Sequence, residues 1–285
     1  MGSTADWIAI ADGCWVRAYA EWTLNVGVVA GLNGLLVVDT RGTRQQGEQL
    51  RDDIRRLDRR PVRWVINTHV HFDHTFGNLA FDDAQIHAHE SAAAGLAAHA
   101  ERIRGLCREE DPLDPLNRAV IETPLRHPDT TFASVAALDL GDRYIEMFHP
   151  GRGHTDGDAV IRVPDLDVVF MGDLVEQSAR PSYGPDSFPL EWPATLELAV
   201  GVVGSDTTVV PGHGATVDRD FVVAQHGDIA DVAQTITRLA RSGVPVEQAL
   251  REGEWPWEPR LLADAVRRGY EQVAAGGASG HHPLP

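Results

Sequence analysis

At 285 residues with 43% hydrophobic content, the chain is long enough for one large domain or two small ones around a buried core. Lysine and arginine total 25 against 42 aspartates and glutamates, a formal charge of -17 that opposes binding along phosphate backbones or anionic lipid, so neither nucleic acid nor a membrane is expected as a partner. Cys14 and Cys107 lie far apart and form no C-x-x-C, which excludes a disulfide framework and a cysteine zinc site and fits a reducing cytoplasm.

The opening "MGSTADWIAIADG" has no basic region followed by an apolar one, and Asp6 spoils a myristoylation pattern. No apolar run approaches the roughly 18 residues of a membrane span, so the chain reads as soluble and unexported. Short apolar bursts, "WIAIA", "CWVRAYA", "LNVGVVAG" and "GLLVVDT", then predict a strand meander with a tight Asn-Gly hairpin at 33–34. Leu50, Ile54 and Leu57 at helical spacing predict a helix over 43–59, stopped by Pro61. "VRWVINT" is a buried strand, and the β-α-β unit it completes delivers "NTHVHFDH", residues 67–74, to the carboxyl end of a strand, where open α/β sheets gather ligands.

A strand near 84–88 and an alanine-rich helix over 90–105 follow, then a proline-rich, charged stretch at 107–130 that reads as a surface insertion. "RYIEMFHP", "DAVIRVP" and "DVVFMGD" are strands, "PSYGPDSFPLEWP" is a loop, 194–203 is a helix, and "TTVVPGHG" is a strand and turn. Residues 218–275 are mostly helical; "DIADVAQTITRLA" has the apolar spacing to dock on the rest of the chain or on a second subunit, which leaves a homodimer open. The domain reading is a main domain over 1–215, a helical portion over 216–275 packed on it, and a disordered tail over 276–285.

Histidines at i and i+2 of an extended segment point the same way, so His69 and His71 can grip one ion, while Asp73 and His74 face a second position past the turn. The pattern of strand end, glycine and ligand recurs: His154 in "HPGRGHTDGD", Asp173 closing "VVFMGD", and His213 in "TVVPGHG". Gly153, Gly172, Gly212 and Gly214 let the backbone approach an ion there.

The order H-x-H-x-D-H, G-H-T-x-G-D, a strand ending in G-D, then P-G-H-G resembles the metallo-β-lactamase-fold hydrolase superfamily over about residues 7–215, with a glyoxalase II-like dinuclear ligand set. The resemblance implies an α/β fold, a four-layer αββα sandwich with metals at one edge. It places His69, His71 and His154 on a first metal, Asp73, His74 and His213 on a second, and Asp173 between them. Five imidazoles and two carboxylates suit two zinc ions, with iron or manganese admitted. The chemistry implied is a metal-bound hydroxide attacking the carbonyl of an ester, thioester or lactone, with Asp73 as the catalytic carboxylate that orients it and takes its proton. The ligand histidines need their other ring nitrogens anchored; Asp39 is the first candidate, with Thr68, Thr155 and Asp158 behind it.

The small-molecule substrate is less legible. Trp22, Phe72, Tyr183, Phe188 and Trp192 are candidates for an aromatic pocket wall. Alternatives to the ester, thioester or lactone hydrolase are a polyketide cyclase/thioesterase, a β-lactam hydrolase, a mononuclear-iron persulfide dioxygenase and a non-catalytic binding protein. An aspartate at 173, where dedicated β-lactamases of the family carry cysteine or serine, argues against the β-lactam.

Overall fold

The computed structural model describes residues 7–278, so the readings for residues 1–6 and 279–285 lie outside the described residues. Its strands are all connected by pairing, but the join between the two halves is a single residue pair, Leu24 with His213. Physically this is two sheets meeting at an edge. The first contains β1 (Ile8–Ala11), β2 (Cys14–Tyr19), β3 (Leu24–Gly31), β4 (Gly34–Val38), β5 (Val62–Ile66), β6 (Gln85–His89) and β7 (Thr130–Phe132) in chain order, antiparallel as far as β4 and parallel from β4 to β7. The second contains β8 (Val135–Asp139), β9 (Tyr144–Phe148), β10 (Val160–Val163), β11 (Val168–Glu176) and β12 (Thr208–His213), antiparallel except for the parallel β11–β12 pair.

Strand alternation divides the apolar residues between the two faces of each sheet. Val29, Leu36, Val38 and Ile66 of the first sheet meet Ile161, Val163, Val168 and Phe170 of the second in one buried layer. The opposite face of the first sheet, Val28, Leu35 and Val37, is covered by Leu50 and Ile54 of α1 (Arg44–Leu57). The opposite face of the second, Val169, Met171 and Val209, is covered by α5 (Trp192–Val200), α6 (Arg219–Arg241) and the start of α8 (Ala263–Ala278). The layers therefore run αββα. Ile229, Val232, Ile236 and Leu239 place the apolar face of α6 inside this core, so that face docks on the sandwich and not on a second subunit.

Several boundaries differ from the sequence reading. The register pairs Gly31 with Gly34, so the β3–β4 turn is Leu32–Asn33, one residue earlier than the Asn-Gly pair. The turn is pinned from outside, since Asn33 N–H donates to the Leu140 carbonyl and Leu32 N–H to Asp142 Oδ1. The stretch at 107–130 is not wholly irregular: α3 (Glu90–Glu110) runs into it, and α4 (Pro115–Glu122) starts where Asp114 accepts from the N–H groups of Leu116 and Asn117. Helix α5 starts two residues earlier than expected, at Trp192. The C-terminal region is broken into α6, α7 (Val246–Glu252) and α8, and α8 continues through 278, into the segment expected to be a disordered tail. Cys14 and Cys107 are both unbonded and buried, and among the described residues no helix is long and apolar enough to cross a membrane.

Topology brings the ligand-bearing strand ends together. The parallel β4–β5 pair sets Asp39 beside Thr68, and the β11–β12 pair carries Asp173 and His213 to the same sheet end. The short helix α2 (Phe72–Thr75) and the 3-10 turn after it are held against α1 by close backbone packing at Gly47 and Gly77. A Cβ on Gly77 would lie 2.8 Å from the Thr40 carbonyl carbon and closer still to its oxygen. Gly77→Ala is therefore expected to destabilise the protein by about 1–3 kcal/mol, since backbone cannot swing aside as a side chain can. A lower urea midpoint would register this; an unchanged midpoint would show that the segment shifts freely.

Candidate metal centre

His69 and His71 leave the end of β5, Asp73 and His74 stand on α2, His154 on the β9–β10 loop, Asp173 on β11 and His213 at the end of β12. These segments converge where the sheets meet. His69, His71, His154 and Asp173 form one group whose donor atoms lie within 4.8 Å of one another, and Asp73, His74 and His213 form a second. Asp173 lies between them, with Oδ1 3.3 Å from His74 Nε2 and 3.4 Å from His213 Nε2, and Oδ2 3.4 Å from His154 Nε2 and 3.8 Å from His69 Nε2. Asp73 Oδ2 is 3.5 Å from both His74 Nε2 and His213 Nε2.

Hydrogen bonds do not account for this crowding. His154 Nε2 and His71 Nδ1 face each other at 2.8 Å, and His74 Nε2 and His213 Nε2 at 3.3 Å. His69 Nε2 and Asp173 Oδ1 are buried without a hydrogen-bond partner, an expensive condition for polar atoms unless a cation completes them. Burial pushes the Asp173 carboxyl up, but His213, His74, His69 and His154 overcome it and hold the group well below the usual carboxylate range. Burial pushes His213 down; Asp173 overrides it and lifts that imidazole to about 9. His154 shows the opposite balance, pushed down to about 4 by burial and by His71. A buried anion ringed by imidazoles is a donor set suited to metal cations, which displace the ring protons as they bind.

The outer nitrogens of all five rings are anchored. Asp39 Oδ2 meets His74 Nδ1 at 2.8 Å and accepts from the Thr68 hydroxyl, which in turn meets His69 Nδ1 at 3.0 Å. Asp39 is buried and takes a positive φ of 65°, a left-handed turn that aspartate tolerates better than most residues. His154 Nδ1 meets the Ser182 carbonyl and His213 Nδ1 the Trp22 carbonyl, at 2.9 and 2.8 Å; His71 Nε2 meets Asp186 at 3.1 Å. Thr155 and Asp158 anchor no ligand ring. The Asp158 carboxylate accepts from the Thr155 N–H and hydroxyl, which folds the loop carrying His154, and burial pushes its pKa up to about 7. The glycines serve the side chains: a Cβ on Gly212 would strike Asp173 Oδ1, and Gly172, at φ +50°, makes room for Thr68.

A cavity of about 750 Å³ opens over the cluster, lined by Asp73, Asp173 and His213 at its floor and by Trp22, Phe72, Trp257 and Leu261 among its apolar walls. Trp22 and Phe72 pack edge to face at 5.4 Å. The other three aromatic candidates lie elsewhere. Trp192 is fully buried, with its indole N–H donating to the Leu174 carbonyl; Tyr183 packs against it at 4.9 Å; and Phe188 is covered by the Arg152 and Arg268 guanidinium groups. Trp257 and Leu261 come from the segment between α7 and α8, which the sequence reading treated as packing alone. Glu176 and Arg180, on and after β11, also line the cavity and were not anticipated.

A sequence profile of the metallo-beta-lactamase superfamily matches residues 21–244. Metallo-beta-lactamase type 2 of Bacillus cereus is 28% identical over 192 residues, covering 67% of this chain and 66% of that protein. The acyl-coenzyme A thioesterase MBLAC2 of Homo sapiens is 27% identical over 247 residues, covering 79% of this chain and 88% of the relative. Among solved structures, metallo-beta-lactamases from Pontibacter korlensis and Erythrobacter litoralis superpose with TM-scores of 0.61 and 0.64 at 22% and 16% identity, covering 79% and 81% of this chain and 99% and 98% of theirs, a likeness of fold. With the profile covering most of the chain and the solved structures alike in fold, this protein belongs to the metallo-beta-lactamase superfamily.

Proposed function

We propose that the protein is a dinuclear zinc hydrolase that cleaves an ester, thioester or lactone carrying an apolar acyl group. The observation that carries this reading is the convergence of five imidazoles and two aspartates, two of their buried atoms unpartnered, on the floor of a cavity with apolar walls. His69, His71 and His154 would hold a first ion, Asp73, His74 and His213 a second, and Asp173 both. When bound, such a pair of ions lowers the pKa of water towards neutrality and withdraws charge from a carbonyl oxygen. The chain supplies the rest. Asp73, 14% exposed and lining the cavity, orients the attacking water and accepts its proton. Trp22, Phe72, Trp257 and Leu261 hold the acyl chain and exclude bulk water.

Two charged residues rank the substrates. Glu176 is buried in the cavity lining with a donor atom within 4.8 Å of those of Asp173 and His213; burial and then Asp173 lift its pKa to about 7, so above that pH an anion attached next to the scissile bond meets a carboxylate. β-Lactam antibiotics carry such an anion beside the lactam nitrogen. Arg180, further along the same lining, donates to the Pro181 carbonyl and has, among the described residues, only the more distant Glu176 as an acidic neighbour, which suits a negative group more distant from the reacting carbonyl. The similarity to the human thioesterase over most of its length supports the thioester; the similarity to the Bacillus enzyme supports β-lactam hydrolysis as the second reading. The test is a panel of a long-chain acyl thioester, an aryl ester, a lactone, a β-lactam and a phosphodiester with zinc-loaded protein. The thioester or ester is expected to lead, with at least about tenfold higher kcat/KM than the β-lactam, a gap of about 1.4 kcal/mol. A β-lactam at the head of the panel would reverse the ranking, and cleavage of the phosphodiester alone would exclude carbonyl chemistry.

A further inference from the structure

His71 is oriented unlike the other four imidazoles. His69, His74, His154 and His213 each anchor Nδ1 and turn Nε2 to the cluster. His71 does the reverse, with Nδ1 2.8 Å from His154 Nε2 and Nε2 directed outward to Asp186 Oδ2 at 3.1 Å. A carboxylate only accepts, so the His71 hydrogen sits on Nε2 and Nδ1 is left as a bare lone pair facing the cluster. A half-turn of the ring about Cβ–Cγ would put carbon where that lone pair is and forfeit the bond to Asp186.

Asp186 is itself held from α3. Arg102 Nη2 donates to Oδ2 at 3.0 Å, and His99 Nδ1 lies 3.7 Å from the same oxygen, while Oδ1 is buried without a partner. The Phe72 backbone N–H donates to His99 Nε2 at 3.1 Å, which leaves that nitrogen bare and puts the His99 hydrogen on Nδ1, directed at Asp186. Arg102, 3.0 Å from His99 Nδ1, therefore shares the carboxylate with the ring and does not donate to it. The His99 ring stacks on His71 with centroids 4.8 Å apart and planes 27° from parallel. Three side chains thus converge on one carboxylate oxygen, and one of them faces the cluster with its other nitrogen.

We infer that Asp186, clamped by Arg102 and His99, is a positioning residue that fixes the tautomer and ring orientation of His71 and thereby the affinity of the first metal set. The inference rests on His71 being a ligand, but it is tested without any substrate, so a failed hydrolase panel leaves its test intact. In the full chain freed of metal and labelled with ¹⁵N-histidine, long-range ¹⁵N–¹H spectra are expected to show His71 as the Nε2–H tautomer, assigned by its loss in His71→Gln. Asp186→Ala should convert this to a mixture of tautomers and weaken the tighter zinc ion about 10–100-fold in chelator competition. Asp186→Asn, whose amide oxygen still accepts from Nε2, should restore most of both. Arg102→Met, which removes the clamp and leaves the carboxylate, should weaken the ion by a smaller factor, below about tenfold. An unchanged tautomer with unchanged zinc affinity in Asp186→Ala would overturn the inference. So would loss of both ions together with no recovery in Asp186→Asn, which would mark a collapsed loop.

Discussion

Asp73→Asn is expected to lower kcat on the best ester or thioester by about 10²–10⁴-fold, the range for removal of a positioned general base. Asp73 lies in the first turn of α2, its side chain reaches the cavity, and its Oδ2 stands 3.5 Å from an imidazole nitrogen on either side. Asparagine has nearly the same shape and keeps an oxygen that can face those nitrogens, but it cannot take up a proton at neutral pH. A fall in kcat with zinc content and KM little changed would locate the loss in the transition state. A variant that retains two ions and wild-type turnover would remove Asp73 from the role of base. One that loses an ion would show its larger contribution to be as a ligand, so elemental analysis of the same preparation accompanies the kinetics.

Legibility in the sequence followed the kind of group involved. The seven candidate ligands were readable because each is a side chain in a short motif at or just past a strand end, three of them beside a glycine, and the structure brings all seven to one place. Asp39 was readable for the same reason, being the last turn residue after an apolar strand. The carbonyls of Ser182 and Trp22 were not, since a backbone oxygen leaves no mark on composition; their positions depend on loops whose course is set by packing. Asp186 is a different omission. It stands among prolines and glycines that read as ordinary loop, and only the fold brings it to Arg102 and His99, 84 and 87 positions earlier. The aromatic wall was misjudged because aromaticity does not state a direction: Trp192 and Tyr183 turn into the core, while Trp257 arrives from a helical region far along the chain. Strand β8 was missed because its first four residues, Val135 to Leu138, are all apolar, so the outward Val135 and Ala137 do not alternate in polarity with the inward Ala136 and Leu138. Helix α4 did carry a signal, the Asp-Pro start, which the surrounding prolines concealed.

Asp173→Ala should separate the two metal sets. Without that carboxylate the first set keeps three imidazoles, whereas the second keeps two imidazoles and Asp73; Oδ1 of Asp173 lies 3.3 and 3.4 Å from the two imidazoles of the second set, and Oδ2 lies 3.4 Å from His154 and 3.8 Å from His69 of the first. Zinc titration against a chelator is expected to show the weaker ion lost by about 100-fold or more and the tighter one by roughly tenfold, on the scale of ligand-shell substitutions. The same variant should change the pH dependence of binding. In the ion-free protein burial pulls His213 and His74 down, but Asp173 overrides it, lifting His213 to about 9 and His74 well above its ordinary value. At pH 7 His213 therefore carries a proton that an entering ion must displace, and His74 is biased the same way, so affinity for the second ion rises as pH climbs towards 9, by up to about tenfold per unit for each proton released. Removing Asp173 takes away the charge that holds these protons, and burial then favours the neutral rings. Calorimetry in two buffers of different ionisation enthalpy should count about one proton or more released per second-set ion at pH 7 in the wild type and a smaller number in the variant. Equal weakening of both ions would remove Asp173 from its place between the sets, and an unchanged proton count would show that other carboxylates, Asp73 and Asp39, set the charge on these rings.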